Sequence, residues 1–238
     1  MRTLALAAAV GVGLLSAGVA AAEQFNDAAG RLTFNAPAGW RVQPRNNATQ
    51  TVVLAFNPTS DCYFFGVQNP ATAASSPEAV HNTRDPLPAA SWVTAASPIH
   101  DFFEGSPATL VSQTVDTSGF WPVQRAELRG PSKTVYGAIL SRPGVEIRAF
   151  CSGGASAATY DSIFASLAHP NDAAWQQAAQ TQEAAHEAAV QQQAQQQAQQ
   201  QAQQPAQTQG QTQAEEQPAI CRDPTVPDRD PRRRRCRR

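Results

Sequence analysis

"VEIRAFCSGGASAATYDSIFASL", residues 145–167, decides the fold. Its first seven residues alternate. Val145, Ile147, Ala149 and Cys151 fall on one side, with Glu146 and Arg148 on the other, which is the period of a strand with a buried face. Its last third changes period. Tyr160, Ile163, Phe164 and Leu167 recur at i, i+3, i+4 and i+7, one apolar stripe of a helix that has to cover a sheet face.

Three more strand-like runs precede this stretch, at 108–116 ("ATLVSQTVD"), 122–129 ("PVQRAELR") and 133–141 ("KTVYGAILS"). Gly119, Gly130–Pro131 and Pro143–Gly144 separate them. Connections this short cannot carry a crossover, so the four runs predict an antiparallel meander. Further upstream, "TVVLAF" (51–56) and "DCYFFGV" (61–67) are β-rich runs on either side of Asn57–Pro58. Leu32 and Phe34 lead through "NAPAGW" to Trp40 and Val42, which reads as two short strands paired around a Pro/Gly turn. Between the two sets of strands lies a Pro- and Ala-rich segment. Ser76 can cap a helix that begins at Pro77. Trp92, Ala95, Ala96, Ile99 and Phe103 have helical spacing, and Pro98 shortens or kinks whatever they form. The fold class expected is α+β, an antiparallel sheet flanked by helices.

The chain divides into four zones. Residues 1–22 read as a secretory signal, with Arg2, an apolar Leu4–Val19 stretch and a small-x-small pattern at Ala20 and Ala22. Residues 23–170 hold all the Phe and Tyr and three of the four Trp, so the hydrophobic core belongs there. Residues 171–220 are a Gln/Ala-rich spacer, helical at its start and disordered after Pro205, whose four-residue Ala spacing builds no heptad seam. Residues 221–238 are an Arg-rich tail. The tail has eight Arg against three Asp, a side-chain charge of +5, while residues 1–220 sum to −6. The near-neutral whole-chain balance therefore conceals a basic tip on a mildly acidic body.

Export would carry all four cysteines, Cys62, Cys151, Cys221 and Cys236, into an oxidising space where thiols pair. Four cysteines allow three pairings, and the simplest joins Cys62 to Cys151 in the globular zone and Cys221 to Cys236 in the tail. The rival for Cys151 is a nucleophile with His81, His100 or His169 as its base, the small residues of "CSGGAS" bringing backbone N–H groups to an oxyanion. A third possibility is an inert thiol. The inward phase of Cys151 opposes a thiolate, because desolvation raises a thiol pKa.

No other catalytic pattern stands in the sequence. There is no HExxH pair, GxSxG elbow, phosphate loop or dinucleotide glycine motif. His81 and Asp85 share a helix spacing suited to a metal, but that spacing is commoner on a solvated face. Glu146 and Asp161 read as exposed polar partners. No cofactor is implied.

"GRLTFNAPAGWRV" (30–42), with a Pro-x-Gly-Trp turn between short strands, resembles the opening hairpin of the PsbP/Mog1-like fold. The paired strands leading into "YDSIFASL" (160–167) resemble its closing strands and last helix. The resemblance covers about residues 24–168. It implies an antiparallel sheet between helices used as a binding or assembly module, with no shared catalytic residues to carry over.

These observations converge on an exported, periplasmic or extracellular, non-enzymatic module. Its partner is expected to be a protein or an anionic envelope component, contacted by Arg232, Arg233, Arg234, Arg235, Arg237 and Arg238. Nucleic acid is not an expected partner of an exported chain. The alternatives are a cysteine hydrolase built on Cys151 and, given the many Phe, a carrier of a small apolar ligand.

Overall fold

The computed structural model describes residues 22–46 and 49–203. Nearly all of the 1–22 segment, residues 204–220 of the spacer, Cys221, Cys236 and the tail arginines Arg232–Arg235, Arg237 and Arg238 lie outside the described residues.

The strands are β1 (Glu23–Asn26), β2 (Thr33–Ala36), β3 (Arg41–Pro44), β4 (Gln50–Asn57) and β5 (Ser60–Gln68), then β6 (Thr109–Asp116), β7 (Val123–Arg129), β8 (Thr134–Arg142) and β9 (Val145–Gly153). The helices are α1 (Pro77–His81), α2 (Ala89–Ala96), α3 (His100–Phe103), α4 (Ala157–Ala165) and α5 (Asp172–Gln203). Seven strands make one antiparallel sheet in the order β3-β4-β5-β9-β8-β7-β6. Two meanders, β3–β5 and β6–β9, thus meet only where β5 lies beside β9. This is an α+β sandwich. The four C-terminal strands form the expected meander.

The β5–β9 seam pairs all nine residues of each strand, from Ser60 against Gly153 to Gln68 against Val145. Cys62 stands directly opposite Cys151, and the two form a disulfide with Cα atoms 4.1 Å apart. That separation belongs to the narrow, non-hydrogen-bonded kind of antiparallel pair, where facing side chains come closest. Both cysteines are fully buried.

One face of the sheet, with Val53, Cys62, Phe64, Leu140, Ile147 and Cys151, lies under Leu32, Phe34 of β2, and Tyr160, Ile163, Phe164 and Leu167. Phe34 stacks on Phe64 with centroids 3.9 Å apart. The other face, with Phe65, Leu128, Val135, Ile139 and Phe150, lies under α2 and α3 through Trp92, Ala96, Ile99, Phe102 and Phe103. Close approach on that side needs Gly137, where a Cβ would stand 2.9 Å from Trp92 and 3.1 Å from Phe150. The caps follow from the sequence: Ser76 accepts the Ala79 N–H with Pro77 beside it, and Ser156 accepts the Thr159 N–H.

One pairing differs from the expectation. The runs on either side of "APAG" do not pair with each other. β2 pairs with β1, and β3 pairs with β4. The partner of β2 is "EQFN", a polar four-residue run with no alternation to mark it as a strand. The chain then leaves the small sheet at Pro37–Gly39 to join the large one.

The first compact unit reaches Gln182, beyond the expected boundary at 170. The reason lies at the start of α5. Arg142, 2% exposed, holds Asp172 with two nitrogens, Nε at 2.6 Å and Nη2 at 3.1 Å. Its guanidinium also lies 4.7 Å from the Trp121 ring centroid. Asp172 accepts the His169 N–H, His169 stacks on Trp175 at 4.4 Å, and Ala179 is fully buried. From residue 184 onward the described side chains of α5 are exposed, as its Gln-rich sequence requires. Among the described residues no helix is long and apolar enough to cross a membrane.

Two measurements test this scheme. The disulfide closes a loop with a sequence separation of 89, so removing it should restore denatured-state entropy. Cys62→Ala/Cys151→Ala should lose about 2–4 kcal/mol, lowering the thermal midpoint by about 5–15 °C at this domain size. An unchanged midpoint would remove the seam from its central place. Second, burial and the hydrogen bond to Asp101 (2.7 Å) push the Tyr63 phenol up to about 12. Folded Tyr63 keeps its proton where unfolded Tyr63 has lost it, so stability should fall as pH rises from about 10 toward 12. Tyr63→Phe should flatten that decline in chemical unfolding, and an equally steep decline in the variant would refute the assignment.

Candidate functional site

The structure does not bring the histidines to Cys151. The disulfide lies on the sheet face under β2 and α4, whereas α3, which carries His100, packs on the opposite face, and His81 ends α1 beside Phe120 and Trp121. His81 stacks on Phe120 at 4.1 Å, with Nδ1 2.7 Å from the Phe120 carbonyl oxygen. His169 Nδ1 accepts the Asn171 N–H at 3.0 Å, and burial holds its pKa below the ordinary value. The small residues after Cys151 are also committed. Gly154 N–H donates to the Thr59 carbonyl and Ala155 N–H to Ser60 Oγ, both at 2.8 Å. Gly153, at φ +120°, admits no Cβ, since one would fall 2.2 Å from the Thr59 oxygen. "CSGGAS" is the end of β9 and the turn that follows it, packed onto the β4–β5 corner. Among the described residues no three His, Cys, Asp or Glu side chains converge as metal ligands.

The chemistry that remains accessible lies elsewhere. Helix α4 covers β8 and β9, and an open shelf lies along its flank over β6 and β7. Its hollow, about 280 Å³, is lined by Ser112, Thr114, Arg125, Glu127, Tyr136, Tyr160, Asp161 and Phe164. Arg125 is its most constrained group. The guanidinium lies 5.0 Å from the Phe164 ring centroid, with Asp116 at 3.8 Å and Asp161 at 4.0 Å, too far for hydrogen bonds. Nη1 is buried with no hydrogen-bond partner. Burial pulls the guanidinium pKa below its ordinary value against the opposing pull of Asp161 and Asp116. The Tyr160 hydroxyl is likewise enclosed, near Ser60 and Ala155 but without a hydrogen bond of normal geometry, and burial pushes its pKa up. Two hydroxyl residues, two tyrosines, one cation and a rim of carboxylates can recognise a polar chain. They include no nucleophile–base pair.

The sequence had marked Asp161 and Glu146 as exposed polar partners. Asp161 is 74% exposed beside Arg125, whereas Glu146 is half-buried and paired with Arg148. Arg125 and Tyr136 were missed. The signal was present, since 125, 127 and 129 alternate with the apolar 126 and 128, but such a row reads as an ordinary solvent face.

Two other recesses bear on the ligand question. One of about 350 Å³ under α2 and α3 is lined by Val93, His100, Phe103 and Ala108. The other, a wide cleft of about 770 Å³, lies among Arg31, Gln68, Asn69 and His169. Most of the phenylalanines that suggested an apolar cargo are spent elsewhere, with Phe34, Phe64, Phe65, Phe102 and Phe150 packed in the two cores, while Phe103 also borders the smaller recess.

Arg125 gives a mutational test. A buried donor without an acceptor costs about 1–3 kcal/mol, and both nearby carboxylates keep contact with water. Arg125→Met should therefore keep the Phe164 contact and match or raise the wild-type stability, by up to about 2 kcal/mol. A loss of more than about 1 kcal/mol in denaturant unfolding would mean that Arg125 is better satisfied than its geometry shows.

No protein-family model and no curated protein matches the sequence. The chain is similar to the solution structure of cyanobacterial PsbP (CyanoP) from Synechocystis sp. PCC 6803, with 15% identity and a TM-score of 0.46 over 69% of this chain and 98% of that one. The likeness is one of fold alone.

Proposed function

We propose that this chain is an exported, non-enzymatic binding module held at the cell envelope, its α+β domain joined by the Gln/Ala-rich helix to a basic tail that meets an anionic surface. The observation that carries the reading is the Cys62–Cys151 disulfide. A bond between fully buried sulfurs fits an oxidising compartment, in keeping with the signal-like start. It also occupies the one thiol for which a catalytic role had a sequence argument, which weighs against the cysteine hydrolase. The tail arginines and the Gln-rich spacer support the tether, because a charge of +5 at the end of a polar spacer suits electrostatic attachment better than substrate turnover.

Two experiments test the two halves of this reading. Thiol titration of the native and the unfolded, unreduced protein should find no reactive group at Cys62 or Cys151, and a reactive thiol at position 151 would revive the hydrolase. Deleting residues 183–238, beyond the packed start of α5, should release the protein from envelope fractions and leave its thermal midpoint within about 2 °C of the parent. A truncated chain that fractionates like the full one would end the tether idea.

A further inference from the structure

The sheet ends differently at its two edges. β3 is a poor template, being four residues long, beginning at Arg41, ending in Pro44 and followed by Arg45. Short length, proline and charge are the usual ways of blunting an edge strand. β6 is longer, and its one charge is the carboxylate of Asp116 at its end. Its eight residues, "TLVSQTVD", contain no proline and no basic residue and are rich in β-branched side chains. It is the outermost strand, and among the described residues the backbone groups on its outer side have no partner. A bulge between Leu110 and Ser112 disturbs only its first part, where Val111 is 46% exposed. Ser112–Asp116 continues in register with β7. On one side the edge is sealed by α2, with Trp92 Nε1–H donating to Gln113 Oε1 at 2.9 Å. On the other side lies the open shelf.

We infer that β6 takes up an extended peptide segment of a partner protein as an eighth strand, and that the shelf holds alternate side chains of that segment, one of them basic. Main-chain hydrogen bonds along an edge give affinity, and pockets for every second side chain give selectivity. Here Ser112 and Thr114 border the added strand, and Tyr136 and Phe164 form an apolar floor. The basic preference comes from the rim. Asp116 and Asp161 are 39% and 74% exposed, while Arg125 is 18% exposed and tucked beneath them. Glu127 adds a third carboxylate, shared with Arg129 at 3.8 Å. An incoming cation meets carboxylates before it meets Arg125. The same charges oppose a second copy as the occupant, because antiparallel self-pairing of β6 would set one acidic rim beside another. This inference rests on the binding reading and names its surface and the class of partner.

The test uses the full-length oxidised protein and a capped peptide of alternating Thr and Val with one central Arg. Hydrogen exchange should slow by at least about tenfold at the outward-facing amides within Ser112–Asp116 when the peptide is added. Thr114→Lys and Ser112→Lys, both at exposed positions, should each weaken binding by about tenfold or more with the thermal midpoint unchanged. Asp161→Asn should weaken the Arg peptide and leave its Ala counterpart unaffected. The proposal is overturned by no binding at millimolar peptide, by protection away from β6, or by lysine variants that bind as the parent does. It is also overturned if sedimentation of the protein alone shows a dimer that Thr114→Lys abolishes. Envelope fractionation of the truncated chain reads the tether independently, so the two ideas can fail separately.

Discussion

Everything in this domain depends on closing one long loop. The β3–β5 meander and the β6–β9 meander each form from neighbours in sequence, but they become one sheet only where β5 meets β9. That contact joins segments 89 residues apart at the cysteines, and its entropic cost is set by the chain between them. The disulfide lies within the seam and lowers that cost by restricting the unfolded chain. Both hydrophobic cores need the seam. Phe64 and Ile147 pack on one side of it, and Phe65 and Phe150 on the other.

The same constraint decides where chemistry can occur. A cysteine that would otherwise be the most reactive atom of the chain is turned inward and spent. The glycine turn after it closes on the β4–β5 corner, so its N–H groups are used. Arg142 is likewise buried and matched, anchoring Asp172 at the start of α5. Among the described residues, two buried polar groups without a hydrogen bond, Arg125 Nη1 and the Tyr160 hydroxyl, belong to residues lining the hollow beside α4, and a third, Trp121 Nε1, lies in the ring that faces Arg142.

Much of this was legible residue by residue. The two-residue alternation of Val145–Cys151 and the helical stripe of Tyr160–Leu167 identified β9 and α4, and the short Gly/Pro turns identified the meander. Ser76–Pro77 marked the start of α1, and Pro98 split α2 from α3. The architecture implied by the PsbP/Mog1-like resemblance, an antiparallel sheet between helices, is the one found. The pairing of β2 was not legible, because its partner Glu23–Asn26 is too short and polar to carry a period. Nor was the reach of the domain to Gln182, which depends on a buried Arg142 meeting Asp172 across 30 residues of chain.

The sequence by itself determined the local elements, the division into a core-bearing zone and polar tails, and the inward phase of Cys151. These follow from periodicity and composition, which act within a few residues. Only the tertiary structure decided which strand lies beside which, that His100 stands across the sheet from Cys151 while His81 packs on Phe120, and that β6 is left at an edge with a shelf beside it. Those facts depend on where a covering helix lies and on which strands remain unpaired. Neither is set by any residue's own preference, because both are settled only when distant segments compete for the same surface.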